Sequence, residues 1–328
     1  MGRILVTGSS GHLGEALMRT FADRGQDAVG LDARPSPFTT WVGSVADRDL
    51  LRGALDGVTG VIHAAALHKP HVATHSRQDF VDTNVSGTLA LLEAAEAAGV
   101  AGFVFTSTTS AFGAALRPGR GEPAAWIDED VVPVPRNIYG VTKLAAEGLV
   151  ELFGRERRLG AIILRTSRFF PEDDDDREVR AAFETPNAQA NELLARRADI
   201  ADMVEAHLLA LAAAPRLGFA RYIVSATTPF SPADLPELRR DLPAVVARLY
   251  PEQPALYAAR GWRLFEGVDR VYDNARARLE LGWTPRYEFA HVLASLARGE
   301  DFRSPLGMAV GAKGYHDQVF EDGPYPVV

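Results

Sequence analysis

Two rhythms of apolar and polar positions take turns along this chain. Short, nearly continuous apolar runs at 4–6, 28–31, 60–63, 103–105 and 161–164 have the length and composition of parallel strands buried on both faces. Between them, apolar residues recur every three or four positions. Leu13, Ala16, Leu17 and Phe21 form one such stripe, and Leu89, Leu92, Ala95 and Ala98 another. The spacing predicts one long helix from Phe80 to Ala98 stopped by Gly99, and another from Tyr139 to Arg157. Trp41–Val42 precedes a short helix through Leu55. Strands alternating with helices in this way predict an α/β fold, a doubly wound parallel sheet with right-handed crossovers. Ligands then belong beyond the C-terminal ends of the strands.

After Arg165 the pattern loosens. Residues 1–168 read as one dinucleotide-binding domain, with returns to it near 199–226 (a helix from Ile200 to Ala213 and a strand at 222–224) and at 268–285. The rest of 169–328, with prolines throughout 229–263, reads as a smaller C-terminal substrate lobe, and 307–328 as a packed extended arm. The run Asp173–Asp176 lacks the interspersed glycine and closing glutamate of a calcium loop, so it reads as a solvated loop.

With 47% hydrophobic residues the chain has material for a substantial core. A formal charge of −8 argues against a nucleic-acid partner. No apolar stretch reaches the about 18 residues of a membrane span, and Met1 leads straight into the first strand with no room for a signal peptide. Cysteine is absent, which excludes disulfides and thiolate metal sites. These features predict a cytoplasmic protein with no metal centre and no membrane partner.

The first candidate chemistry follows the first strand. In Thr7-Gly8-Ser9-Ser10-Gly11-His12-Leu13-Gly14, Gly8 suits a tight turn, Gly11 a close approach to a pyrophosphate, and Gly14 tight packing of helix on strand. The helix N-terminus aims unpaired N–H groups at the phosphates. Asp32, about twenty residues on, stands where a carboxylate reaches the ribose hydroxyls of NAD. Arg34 could instead meet the 2′-phosphate of NADP, so NAD is favoured and NADP stays open. Thr106 and Thr166, near strand ends, are expected on the dinucleotide side with His12 and Leu13. The second is Tyr139-Gly140-Val141-Thr142-Lys143. Residues four apart share a helix face, so phenol and ammonium address one place. The ammonium, together with a positive nicotinamide ring, would favour the phenolate of a group that titrates near 10. Thr108 adds a hydroxyl at a strand end.

Together these residues resemble the extended short-chain dehydrogenase/reductase superfamily, in its NAD-dependent sugar epimerase/dehydratase branch, whose fold is Rossmann-like. The resemblance covers about residues 3–215 and 276–285. It rests on Thr7–Gly14, on Tyr139 with Lys143, on 84–95 as the central helix, and on 105–113 as the strand end that bears a catalytic hydroxyl. It implies that Tyr139, Lys143 and Thr108 are catalytic, that Ala64, Ala65, Ala66 and Asn84 line the NAD site, that Lys143 also holds the nicotinamide ribose, and that the protein is a homodimer built on the helices 80–98 and 139–157. Three departures follow. Ser44 replaces a common Asp, leaving the adenine contact to the Val45 backbone. Thr109, on the substrate side, replaces the Glu of dehydratases, which argues against 4,6-dehydration. Arg168 replaces an Asn of the nucleotide-sugar pocket, and could pair either with a substrate phosphate or carboxylate or with Asp173–Asp176.

The expected activity is therefore reversible oxidation of a secondary alcohol, most simply by a nucleotide-sugar epimerase that returns its hydride. A carbonyl reductase that releases its product is the second reading. A dinucleotide-binding sensor without catalysis is the third.

Overall fold

The computed structural model describes residues 2–314 and Phe320. Strands β1 (Arg3–Thr7), β2 (Ala28–Asp32), β3 (Trp41–Val42), β4 (Val58–His63), β5 (Gly102–Thr108), β7 (Gly160–Thr166) and β8 (Phe219–Val224) form one sheet, with β6 (Ala125–Ile127) and β9 (Arg270–Tyr272) paired apart from it. The sheet has seven strands in the order β3-β2-β1-β4-β5-β7-β8, every pair parallel. The order reverses direction at β1, where β2 lies on one side and β4 on the other, and a crevice opens at their C-terminal ends.

Both faces of the sheet are covered. Helix α1 (His12–Asp23) lays Leu13, Ala16, Leu17 and Phe21 against one face, beside Met203, Val204 and Ala210 of a later helix over Ile200–Leu217. On the other face lie α2 (Arg48–Ala54), α4 (Gly87–Ala97) and α5 (Ile138–Arg155), whose Leu51, Leu91, Ala95 and Val150 pack on Val61, Phe103 and Ile163. A third core, with Leu238, Val245, Val246, Phe289, Val292 and Leu293, belongs to the C-terminal lobe. Asp202 in the Ile200–Leu217 helix accepts the backbone N–H groups of Arg286 and Tyr287 at 3.0 and 2.9 Å and so fastens the lobe to the sheet.

The expected single helix from Phe80 to Ala98 is three pieces: α3 (Arg77–Val81), a π-helical turn (Asp82–Ser86) and α4. The wide turn keeps the axis continuous while rotating Asn84 inward. The helix of Ile200–Leu217 runs beyond the expected Ala213 and takes Pro215 into its last turn. Part of the expected extended arm is helical, over Pro305–Val310, and 315–319 and 321–328 lie outside the described residues. Segment 169–199, for which the sequence reading named no helix, holds α6 (Arg177–Ala182) and α7 (Thr185–Glu192), which makes the Ile200–Leu217 helix α8.

Candidate active site

β1 ends in the turn anticipated from its glycines. Gly8 has φ +74°, and a Cβ there would sit 2.7 Å from the Ala65 nitrogen. A Cβ on Gly14 would meet the Gly8 carbonyl oxygen at 1.9 Å. Only hydrogen at these positions lets α1, the turn and the end of β4 close up. Gly11 is extended (φ −74°, ψ 173°), and α1 starts one residue later with its first-turn N–H groups at the crevice. Asp32, at the end of β2, braces this turn. Its two oxygens accept the N–H groups of Ser10 at 3.0 Å and Arg34 at 2.9 Å.

Gly8, Gly11, His12, Leu13, Gly14, Asp32, Arg34, Ser44, Val45, Ala64, Ala65 and Ala66 all line one cavity of about 990 Å³. Thr106, Thr108, Thr109, Tyr139, Lys143, Thr166 and Arg168 line it as well. Asn84 does not. It is buried behind the wall, where its side-chain oxygen accepts Leu67 N–H at 2.8 Å and its amide donates to the Leu67 carbonyl and the Thr142 hydroxyl. Its place is to fix the loop after β4, because the π turn carries it inward rather than toward the cavity.

At the far end, Asn137 caps α5 by accepting Gly140 N–H at 3.0 Å, which sets Tyr139 in the first turn. The phenol hydrogen-bonds the Thr108 hydroxyl, and burial pushes its pKa up to about 12 against that bond. Lys143 is not among the groups that shift the phenol in the protein alone. Its ammonium turns away to donate to the Thr106 carbonyl at 2.6 Å, 3.9 Å above the Phe105 ring. Burial draws the Lys143 pKa down to about 7, opposed by the charge of Glu147 one turn on. The expected lowering of Tyr139 by Lys143 is thus outweighed, within the protein's own groups, by loss of water around the phenol.

Arg168 resolves in favour of the acidic run. It donates to Asp174 and Asp175, each at 2.5 Å. Lys69 also pairs with Asp175, and Arg180 donates to the Asp174 carbonyl at 2.6 Å. Asp173 accepts from Thr185, while Asp176 caps α6. The run is therefore only half solvated: Asp173 and Asp176 are exposed, whereas Asp174 is 8% exposed and Asp175 is held by Lys69 from 106 residues away.

Several cavity residues had no periodic signal to reveal them. His68 faces the Tyr139 ring almost in parallel, 6.2 Å between centroids at 14°. Burial and neighbouring positive charge draw the His68 pKa down to about 3, so the ring is neutral. Glu172 joins His12 at 2.7 Å and accepts the N–H groups of Lys313 and Gly314, and Lys313 pairs with Glu15 of α1. Arg136, Arg196, Arg270 and Tyr272 complete the lining used below. Among the described residues, no group of His, Asp and Glu is arranged to hold a metal ion, and no helix is long and apolar enough to cross a membrane.

The comparisons agree with this geometry. The model of the NAD dependent epimerase/dehydratase family matches residues 4–224. The chain belongs to that family. A UDP-glucose 4-epimerase of Streptomyces lividans is 31% identical over 173 residues, 49% of this chain and 50% of that protein. A 3 beta-hydroxysteroid dehydrogenase/Delta 5-->4-isomerase of Mycobacterium tuberculosis is 33% identical over 46% of this chain and 42% of its own length. The chain thus spans about half the length of these curated relatives. A short-chain dehydrogenase/reductase superfamily protein from Agrobacterium tumefaciens with bound NAD has a TM-score of 0.64 at 27% identity, covering 90% of this chain and 96% of that one. NAD, for which the family is named, fits the cradle: the turn leaves no room for a Cβ at Gly8 or Gly14, and the Asp32 carboxylate lines the same cavity.

Proposed function

We propose that this protein is an NAD-dependent enzyme that oxidises a secondary alcohol, most simply a nucleotide-sugar epimerase. The supporting observation is the convergence of Tyr139, Thr108 and Lys143 on the cavity that the glycine turn opens into. Bound NAD supplies the hydride acceptor and a positive charge beside the phenol. Tyr139 takes the hydroxyl proton of the substrate, since it alone of the three has an oxygen that can cycle between phenol and phenolate at the cavity wall. Thr108 orients the reacting oxygen through the hydroxyl that already meets Tyr139. Lys143, held by the Thr106 carbonyl, is placed for the nicotinamide ribose. Neutral His68 stacks on the phenol and keeps water from its face.

Purified protein incubated with nucleotide sugars, or with simple ketones and secondary alcohols, separates the two enzymatic readings. NAD retained through purification and interconversion of sugar epimers are expected. Net NADH release with free cofactor exchange would favour the carbonyl reductase, a reading supported by the engagement of Arg168 with Asp174 and Asp175 instead of an open nucleotide-sugar pocket. NAD binding without turnover on either panel would leave a sensor.

NAD should bind more tightly than NADP, because the Asp32 carboxylate repels a 2′-phosphate. Dissociation constants favouring NADP tenfold, about 1.4 kcal/mol, would reverse the assignment. Asp32→Ala should narrow the preference and also weaken NAD itself, because Ser10 and Arg34 lose the acceptor that braces the turn.

The reading includes a cytoplasmic homodimer through the faces of α4 and α5. Leu152 on α5 is 49% exposed and Val141 48%, apolar surface that a two-fold axis would make self-complementary. Light scattering at micromolar concentration should give twice the 35.5 kDa chain mass; a monomeric mass removes the dimer.

A further inference from the structure

The cations lining the cavity divide into neutralised and unneutralised ones. Lys69 pairs with Asp175, Arg168 with Asp174 and Asp175, Arg196 with Glu192, and Lys313 with Glu15. Arg136 and Arg270 also line the cavity, and neither makes an ion pair or side-chain hydrogen bond with a described residue. Arg34, likewise unpaired through its side chain, lies at the opposite end beside Asp32.

We propose that Arg136 and Arg270, with the Tyr272 phenol, form the recognition site for an anionic group of the substrate, a carboxylate or a phosphate. The elements bring the three to the reacting end. Arg136 precedes Tyr139 by three residues at the start of α5. Arg270 and Tyr272 stand two apart on β9, on the same side of the strand. The Tyr272 ring stacks on Phe112 at 6.0 Å and 28°. Phe112 in turn accepts Val134 N–H at 3.1 Å, two residues before Arg136, and closes the short 3-10 turn that leaves Thr108. A cofactor diphosphate belongs elsewhere, at the glycine turn after β1, with β4 between it and β5.

Two guanidinium groups lining the same cavity, neither with a counter-charge of its own, make it favourable to an anion. Their planar forks match carboxylate and phosphate oxygens in pairs, and the phenol adds a neutral donor. Unlike Arg168, neither pairs with an acidic side chain among the described residues. The substrate they describe carries its negative charge within reach of the carbon bonded to the reacting oxygen. This inference rests on the proposed reaction centre only for which end of the substrate faces the pair.

The test uses the full chain saturated with NAD and four probes in matched pairs, UDP with uridine and glucuronate with glucose, followed by calorimetric titration. At least one charged probe should bind about tenfold or more tightly than its uncharged partner, and Arg136→Gln and Arg270→Gln should each weaken it by about tenfold. NAD affinity should hold in both variants, which reports that they fold. Arg270→Lys should recover part of the loss because the charge remains. A UDP response assigns the site to phosphate and a glucuronate response to carboxylate, and either supports the proposal. It is overturned if no charged probe outbinds its partner, if both Gln variants bind like the wild type, or if Lys at 270 is as poor as Gln. Should a Gln variant fail to fold, salt decides on the wild type alone: affinity for the charged probe must fall between about 0.05 and 0.5 M salt, and constancy overturns the pair as the site. Failure of the catalytic reading would show separately, as turnover that survives Tyr139→Phe with the anion preference intact.

Discussion

Tyr139→Phe is expected to lower turnover by about 10²- to 10⁴-fold, the range for loss of a general acid–base group, with NAD affinity little changed. Phenylalanine keeps the ring that His68 stacks on and removes only the oxygen bonded to Thr108. Burial pushes the phenol up to about 12 in the protein alone, so the phenolate that takes the substrate's proton depends on the positive charge that bound NAD brings beside it. Thr108→Ala should also reduce the rate, whereas Thr108→Ser, which keeps the hydroxyl, should retain most of it. Lys143→Met should differ from both, weakening NAD as well as slowing the reaction. Steady-state rates on the first substrate found, with NAD titrations alongside, distinguish these patterns. Wild-type turnover in Tyr139→Phe would dismantle the assigned site, leaving the glycine turn as evidence for dinucleotide binding alone.

Arg165→Met is expected to destabilise the fold by about 3–5 kcal/mol, the cost of stranding one member of a buried ion pair. Glu147 on α5 is 0% exposed and Arg165 on β7 1% exposed. The guanidinium grips the carboxylate at 2.8 and 3.1 Å, and Ser107 of β5 donates to the same carboxylate at 2.6 Å. Without Arg165 the carboxylate keeps Ser107 and a more distant Arg221 at 3.3 Å, which places the loss toward the lower end. The double replacement Arg165→Met with Glu147→Leu should recover much of the stability, because no charge is left stranded. Urea unfolding of the three variants reads this directly. A double variant as weak as the single one would mean that packing, not charge, carries the loss. Catalysis should feel the change too, since Glu147 supports the charge of Lys143 one turn earlier.

What was legible in the sequence had its cause nearby in the chain. The glycine turn, the strands feeding it and the Tyr139–Lys143 spacing depend on residues within a few positions of each other, so pattern alone locates them. Within the Asp173–Asp176 run, the burial of Asp174 and Asp175 was not legible because Lys69 and Arg196 reach them from distant positions, while Arg168 was already a candidate partner. Four adjacent carboxylates look solvated until those cations are placed. Asn84 was assigned to the NAD site by the resemblance, and the π turn that carries it is invisible to a 3.6-residue period. Lys143 was expected to act on Tyr139 because spacing reports proximity but not which carbonyl an ammonium chooses. The pairing of β6 with β9 joins three-residue strands 145 positions apart in register, too short for any hydrophobic rhythm, and it carries Arg270 and Tyr272 to the site.

The contact between Lys313 and Glu15 spans 298 positions, and it bears on how the protein is made. α1 and its glycine turn are synthesised well before Lys313 and Gly314, and their partner Glu172 falls about midway between. At about 5–20 residues per second, roughly 15–60 s of synthesis separates the two sides of this contact. Through that interval the first turn of α1 is without its lysine, and for about the first half of it also without the Glu172 carboxylate that joins His12, so this edge of the cavity is completed only once residue 313 has been made.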